Sequence, residues 1–270
     1  MPTAVISDIH GNLEALTVVM ADIRRRGVDR VICLGDIIGY GPDPLACVDL
    51  VRDQCAWSLM GNHDFGVLYE PTNFNPGAQA AAYWTREQFD AEPDLAKRKA
   101  RYDFLGRLRV RVVETQPDSD LPFLFVHGSP RRPINEYVFP EDPANAPDKL
   151  EQIFERVPHR VACGHTHVPG VFTEEPDFYP PHELTDAAFD LAADPALAHG
   201  SRDGVASKVI LNVGSVGQPR DADPRASYAI FHPAHAEFVR LEYDMKPTAD
   251  KIRAIPELSD WLGERLFTGR

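Results

Sequence analysis

The 270-residue chain has no run of 18 apolar residues, so nothing in it reads as a membrane-spanning helix. It also lacks a basic-then-apolar leader. Met1-Pro2 runs straight into Thr3-Ala4-Val5-Ile6, which reads as a strand, and a cytoplasmic location is the expectation. Cysteine is scarce. Cys33, Cys47, Cys55 and Cys163 sit in apolar stretches without a CxxC pair, which argues against a disulfide frame or a zinc knuckle and reads as free thiols. Positive charge is in short supply, with 28 Lys and Arg against 41 Asp and Glu and a formal net charge of −13. Such a balance disfavours nucleic-acid binding, which relies on basic residues neutralising phosphates. It leaves small phosphate substrates open, because bound divalent cations reverse the local field of an acidic protein. There is no internal repeat and no low-complexity tract.

What is present fits one large α/β domain over residues 1–270, with an ordinary hydrophobic fraction of 43% and a charged fraction of 26%. Residues 3–7, 30–34 and 56–60 read as strands, with helices over 12–26 and 43–54 between them. Leu13, Leu16, Val19, Met20 and Ile23 share one helical face, Asn12 is placed to cap it and Gly27 to stop it. Pro44 suits a first helical turn. This β-α-β-α-β opening predicts a parallel core sheet covered by helices. A helical stretch over 75–106 is expected to cap one side. Strand signals return at 122–126, 160–163, 208–213, 227–232 and 236–242, the last two as an antiparallel hairpin. The expected architecture is a mixed β-sandwich with helices on its outer faces.

Residues 172–207 break this rhythm. They hold Glu174, Glu175, Asp177, Glu183, Asp186, Asp190, Asp194 and Asp203 against one base, Arg202, together with Pro176, Pro180, Pro181 and Pro195. Long loops in compact domains are usually lids or insertions, and an acidic lid that disfavours long polyanions is the expectation.

Five short segments each begin where an expected strand ends: Asp8-Ile9-His10, Gly35-Asp36, Gly61-Asn62-His63-Asp64, His127-Gly128 and Gly164-His165-Thr166-His167. Open α/β sheets bind ligands at the carboxyl ends of their strands. Asp8 and His10 are two apart, as are His165 and His167, and on extended chain such pairs point to one side. The adjoining Gly11, Gly35, Gly61, Gly128 and Gly164 permit tight turns. The candidate ligands Asp8, His10, Asp36, Asn62, His127, His165 and His167 exceed the needs of one tetrahedral zinc. They suit two ions about 3.5–4 Å apart sharing a carboxylate. Mixed nitrogen and oxygen ligands without thiolate fit manganese, iron, zinc, nickel or cobalt. Two divalent ions and two carboxylates leave about two positive charges, a match for a phosphate and an attacking hydroxide. A lone histidine near a strand end is ordinarily structural, and His159, His182, His199, His232 and His235 take that reading.

In this order the segments spell D-x-H, GD, GNH[DE], H and GHxH, and the chain resembles the calcineurin-like metallophosphoesterase superfamily over about residues 3–221. The resemblance implies a four-layer αββα fold. It implies a first metal on Asp8, His10, Asp36 and His167, a bridging Asp36, and a second metal on Asn62, His127 and His165. It also implies in-line attack by a metal-bridging hydroxide, with His63 as general acid for the leaving oxygen. A histidine has the near-neutral pKa that role needs. The runs at 6–16, 34–44, 127–130 and 212–221 are similar to the small prokaryotic branch, whose members are often described as phosphodiesterases. Gly39 stands where the protein phosphatases carry an Asp that partners the catalytic His, and Tyr40 stands where an Arg is usual. That departure speaks against a dedicated protein phosphatase, and leaves Asp64 as the candidate to orient His63.

Asn12, Arg131 and Arg132 are the substrate-binding candidates, the arginines because a guanidinium suits bidentate phosphate contacts. The run Asn212-Val213-Gly214-Ser215 is either a plain strand-end turn or a set of N–H groups offered to an anion. The expected activity is hydrolysis of a small-molecule or nucleotide phosphodiester. The competing readings are a phosphomonoesterase and a non-catalytic scaffold on the same fold.

Overall fold

The computed structural model describes residues 1–115, 122–191 and 208–270. In chain order the elements are β1 (Thr3–Ile6), α1 (Leu13–Arg25), β2 (Arg30–Cys33), α2 (Pro44–Gln54), β3 (Trp57–Ser58), α3 (Asn62–Leu68), α4 (Pro76–Asp90) and α5 (Leu95–Leu105). There follow β4 (Arg111–Thr115), β5 (Pro122–Val126), α6 (Asp142–Asn145), α7 (Pro147–Phe154), β6 (Arg160–Cys163), β7 (Gly170–Thr173), β8 (Asp177–Tyr179) and β9 (Ala188–Asp190). The chain closes with β10 (Val209–Asn212), β11 (Ala226–Phe231), β12 (His235–Leu241), α8 (Lys246–Arg253) and α9 (Asp260–Glu264).

The strands form two six-stranded mixed sheets, β3-β2-β1-β11-β12-β9 and β4-β5-β6-β10-β7-β8. The expected parallel unit is there: β1, β2 and β3 pair in parallel, with Val5 opposite Ile32 and Ile32 opposite Trp57. In the second sheet β5, β6 and β10 are parallel, and β11 and β12 form the expected hairpin.

Strand alternation divides the core. Val5, Phe123, Phe125, Leu211 and Phe231 face the space between the sheets, where Phe123 and Phe231 stack at 4.9 Å. Their neighbours Ala4 and Ile6 face α1 and α2, while Leu124, Val126 and Ile210 face α7. The result is four layers, helix–sheet–sheet–helix. Each fully buried Phe contributes on the order of 1.5–3 kcal/mol. Helices α4 and α5 add Ala82, Phe89 and Leu105 to the layer that holds α1 and α2.

Helix α1 starts where Asn12 Oδ1 accepts from the Ala15 N–H, and it is followed by Gly27 at φ 69°. Pro44 opens α2 as expected. The cysteines are free thiols.

Residues 172–191 differ from the expected lid. They are woven into both sheets: β7 pairs with β10, β8 with β7, and β9 with β12. Residues 192–207, with His199, Arg202 and the rest of the acidic run, lie outside the described residues. Among the described residues no helix is long and apolar enough to cross a membrane.

Candidate metal centre

Loops from the carboxyl ends of five parallel strands meet at one edge of the sandwich. Asp8 and His10 follow β1, Asp36 follows β2, and Asn62 and His63 open α3 after β3. His127 follows β5, and His165 and His167 follow β6. The loops are stitched to one another: Asp8 N donates to Gly35 O at 3.0 Å, and His10 N to Asp36 O at 2.9 Å. The GHTH loop is tied in by His165 N, which donates to Asp8 Oδ2 at 3.0 Å.

The paired ligands converge by a different route from the extended chain expected. Asp8, His10, Asp36, His165 and His167 all lie in the left-handed region, at φ 53°, 50°, 51°, 67° and 63°. Left-handed backbone is unfavourable for residues with a Cβ and is held only where the surroundings over-determine it. Here strand ends turn sharply, and the turn aims both members of each pair inward.

Asp8, His10, Asp36 and His167 form one buried group whose potential ligand atoms lie within 4.8 Å of one another. Asp36, His127 and His165 form a second group by the same measure, so Asp36 belongs to both. Asp36 Oδ2 lies 3.6 Å from His10 Nε2 and 3.4 Å from His127 Nε2. Asn62 Oδ1 adds an oxygen 3.3 Å from His127 Nε2.

The tautomers follow from the partners. His127 Nδ1 meets Leu34 O at 3.0 Å, and His167 Nδ1 meets Gln218 O at 2.6 Å. A carbonyl oxygen only accepts, so both Nδ1 atoms carry hydrogen, and each ring in its neutral form turns an Nε2 lone pair inward. Metal-binding histidines are oriented in this way. His127 Nε2 then faces His165 Nδ1 at 3.1 Å, and His10 Nε2 faces His167 Nε2 at 3.1 Å. Asp8 Oδ1 and His165 Nε2 are buried without a hydrogen-bond partner among the described residues.

The electrostatics call for cations at this edge. Burial alone would raise Asp8 and Asp36, yet His167 and His127 hold the first, and His127 and His63 the second, far below the ordinary carboxylate range. Burial pushes His10 and His165 well down, keeping them neutral and fit to ligate. Burial opposes charge on His127 too, but Asp36 and Asp8 raise it to about 9. Two carboxylates with facing lone pairs, and no thiolate, are a donor set that divalent metal ions satisfy.

His63 stands beside the ligands with its ring against Tyr40 at 4.3 Å, Phe74 at 4.6 Å and His10 at 4.9 Å. Burial lowers it to about 4, and Asp36 pulls the other way. Its backbone N–H donates to Asp36 Oδ1 at 2.8 Å. Gly61 is needed there, because a Cβ would lie 2.1 Å from Asp36 Oδ1.

Asp64 does not orient His63. Its carboxylate accepts four backbone N–H groups, from Asp36 at 2.8 Å, Ile37 at 3.0 Å, Ile38 at 3.3 Å and Gly61 at 3.0 Å. Burial and the Asp36 charge raise its pKa to about 7 while these donors pull against them. Adjacent positions on α3 point to different sides, which leaves His63 Nδ1 without a partner among the described residues.

The substrate-binding candidates also need correction. Asn12 has no atom to spare: Oδ1 accepts from Ala15 N and Thr248 Oγ1, and Nδ2 donates to Gly217 O and Tyr243 Oη. Arg131 grips Glu136, with Nη2 at 2.6 Å from Oε1, and reaches Gln152 with Nη1. Neither Arg131 nor the exposed Arg132 lines the cleft over the metal centre. A charged partner five residues away outcompetes a distant site. The Asn212–Ser215 run is a brace: Asn212 Nδ2 holds Gly164 O and Thr166 Oγ1, Gly214 N donates to Asn212 Oδ1, and Ser215 Oγ donates to Asp8 O.

The cleft opens over Asn62, His63 and His165 with a volume of about 300 Å³. Tyr137 stacks on the His165 ring at 3.8 Å. A second lobe of about 300 Å³ shares Tyr40, Asn75, Ala78 and Tyr137 with the first and is lined beyond them by Arg220, Trp261 and Arg265. Sequence reasoning missed Tyr137, Arg220 and Arg265. The only available signal was a lone arginine in Gln218-Pro219-Arg220-Asp221 just past a strand end.

A family model described as calcineurin-like phosphoesterase matches residues 1–189. The Methanocaldococcus jannaschii protein MJ0912 is 38% identical over 272 residues, covering 99% of this chain and 98% of its own length. A metallophosphoesterase from Sphaerobacter thermophilus superposes with a TM-score of 0.78 at 34% identity, covering all of this chain and 99% of its own. A hypothetical protein, PH1004, from Pyrococcus horikoshii OT3 shares the fold, with a TM-score of 0.71 at 17% identity over all of this chain and 98% of its own. The chain belongs to the calcineurin-like phosphoesterase family of metal-dependent hydrolases acting on ester bonds.

Proposed function

We propose that the chain hydrolyses a phosphodiester of a small molecule, with Asp8, His10, Asp36 and His167 holding one divalent ion and Asp36, Asn62, His127 and His165 a second. The observation that carries this reading is the membership of Asp36 in both ligand groups. Manganese, iron, zinc, nickel and cobalt all suit the donors. Bound there, the ions supply Lewis-acid stabilisation of phosphoryl oxygens and make a water nucleophilic at neutral pH.

His63 is the residue proposed to hand a proton to the leaving oxygen. It lines the cleft, and Phe74 and Tyr40 fix its ring. The Asp36 Oδ1 bond to its backbone sets its distance from the ligands. Asp64 acts through the loops, by fixing the backbone that carries Asp36 and His63, and not on the reacting atoms.

A diester is favoured over a monoester because the cleft has two lobes meeting at Tyr40 and Tyr137. A diester has two arms to place and a monoester has one. The acidic surface disfavours long nucleic acid as the substrate.

Parallel assays on bis(p-nitrophenyl) phosphate and p-nitrophenyl phosphate, with each metal in turn on the stripped protein, test the reaction class. Faster turnover of the monoester with every metal would defeat the diester reading. His63→Ala tests the proton donor: its kcat should fall at least about tenfold more on an alkyl ester than on the p-nitrophenyl ester, whose leaving group needs little protonation. Equal losses on both would remove His63 from that role.

A further inference from the structure

We propose that Arg220 and Arg265 form a second anion subsite beside the metal centre, and that the substrate carries a further phosphate or carboxylate on the ester arm seated there. The inference rests on the two-armed diester reading and names the chemistry of one arm.

The two guanidinium groups converge on one oxygen. Arg220 Nη2 donates to Gln218 Oε1 at 2.9 Å, and Arg265 Nη1 to the same atom at 3.2 Å. Arg265 is only 8% exposed, and its guanidinium lies 4.2 Å over the Trp261 ring. Its Nε donates to the backbone oxygen of Arg270, and its Nη2 makes no hydrogen bond among the described residues. Arg220 Nε is buried without a partner, and its guanidinium lies 6.0 Å from the Tyr40 ring centroid.

Neither arginine pairs with an acidic side chain among the described residues. Arg26, Arg30, Arg101, Arg131, Arg225 and Arg240 all do so. Arg101, the one other buried arginine among the described residues, is paired with both Asp49 and Glu92, whereas the buried Arg265 has a second arginine for a neighbour. Burial, and after it the neighbouring Arg220, depress Arg265 to about 10, as expected of a guanidinium held largely out of water beside a second one. Like charges held together out of water repel, and an anion between them removes that penalty. Guanidinium forks match phosphate and carboxylate oxygens two at a time.

The position separates this anion from the scissile phosphate. None of the metal-centre residues lines the lobe that holds Arg220 and Arg265; Tyr40 and Tyr137 stand between the two lobes and line both. The lobe is nevertheless tethered to the centre. Arg220 N donates to His167 O at 3.2 Å, and His167 Nδ1 donates to Gln218 O.

The test uses the full metal-loaded chain and two p-nitrophenyl phosphodiesters that differ only at the end of a short alkyl arm, one ending in methyl and the other in phosphonate. The wild type should favour the phosphonate by at least about tenfold in kcat/KM, mainly through KM. Arg220→Gln and Arg265→Gln should each bring the ratio of the two esters close to one. Arg265→Lys, which keeps the charge, should give an intermediate ratio and so separates charge recognition from a folding defect. A titration with methylphosphonate, followed through the Trp261 indole N–H resonance and assigned with Trp261→Phe, should shift saturably in the wild type and not in Arg220→Gln. Equal rates on the two esters, a ratio unchanged in both glutamine variants, or an unmoved Trp261 resonance would each overturn the subsite. If neither ester is cleaved the diester reading falls, and the titration alone then decides the subsite.

Discussion

Asp36 and Asp64 hold each other's loops: the Asp64 carboxylate accepts the Asp36 N–H at 2.8 Å, while Asp36 Oδ1 accepts the N–H of His63, one residue before Asp64, at 2.8 Å. The carboxylate shared by both ligand groups and the proposed proton donor are thereby locked in a reciprocal pair of turns. Asp64→Asn would aim an amide NH₂ at two N–H donors that now find an oxygen. It should cost at least about 2 kcal/mol in denaturant unfolding and lower the metal content of purified protein. A variant with wild-type stability and full metal occupancy would show that the bracing does not matter.

Gly39 explains its own departure from the phosphatase pattern. It adopts φ 88°, and a Cβ there would lie 2.5 Å from His63 Nδ1. Gly39→Ala should reduce kcat by about tenfold or more through displacement of His63, with metal content unchanged by elemental analysis. Retention of full kcat would mean that the His63 ring has freedom the packing denies it.

The two ligand groups make separate demands. His10 belongs to one and His165 to the other. His10→Ala and His165→Ala should each lower the metal-to-protein ratio by about one ion, and chelation should abolish phosphoesterase activity until metal is restored. If both substitutions left the ratio intact, the ligand assignment would be wrong.

Asp22 links the sheet to α1. Its Oδ2 accepts from Tyr228 Oη at 2.7 Å and from Arg26 Nε at 2.7 Å. Burial would raise its pKa, but the Tyr228 and Arg26 hydrogen bonds hold it below the ordinary 3.8. A carboxyl whose folded pKa is depressed stabilises the fold fully above its unfolded pKa, and loses that contribution as pH falls through the folded one. Asp22→Asn should therefore cost about 1–3 kcal/mol at pH 7, and its deficit relative to wild type should shrink below about pH 4. Unfolding curves showing the same deficit at pH 3 and pH 7 would contradict this.

The segments that build the metal centre were legible because each is a short polar break after an apolar run, and a parallel sheet sends such breaks to one edge. Their conformation was not. The left-handed turns at Asp8, His10, His165 and His167 depend on hydrogen bonds from other loops, such as Asp8 N to Gly35 O, which no local pattern encodes. Edge strands β8 and β9 carry no strand signal in the sequence, because they are three residues long and laced with Asp and Tyr or Phe in place of clean alternation. Arg131 was drawn to the site by proximity in sequence, while Glu136 claims it in space. Arg265 was invisible for the opposite reason: it comes from the end of the chain, nearly a hundred residues past His167.

Each ligand group draws on both halves of the sandwich. Asp8, His10 and Asp36 hang from the first sheet, and His127, His165 and His167 from the second. An ion in either group would thus be a rivet through the seam, added to the apolar contacts and the loop hydrogen bonds that already join the two sheets. Chemistry and mechanical integrity draw on the same few bonds, so a stripped protein should be looser between its sheets long before its strands come apart.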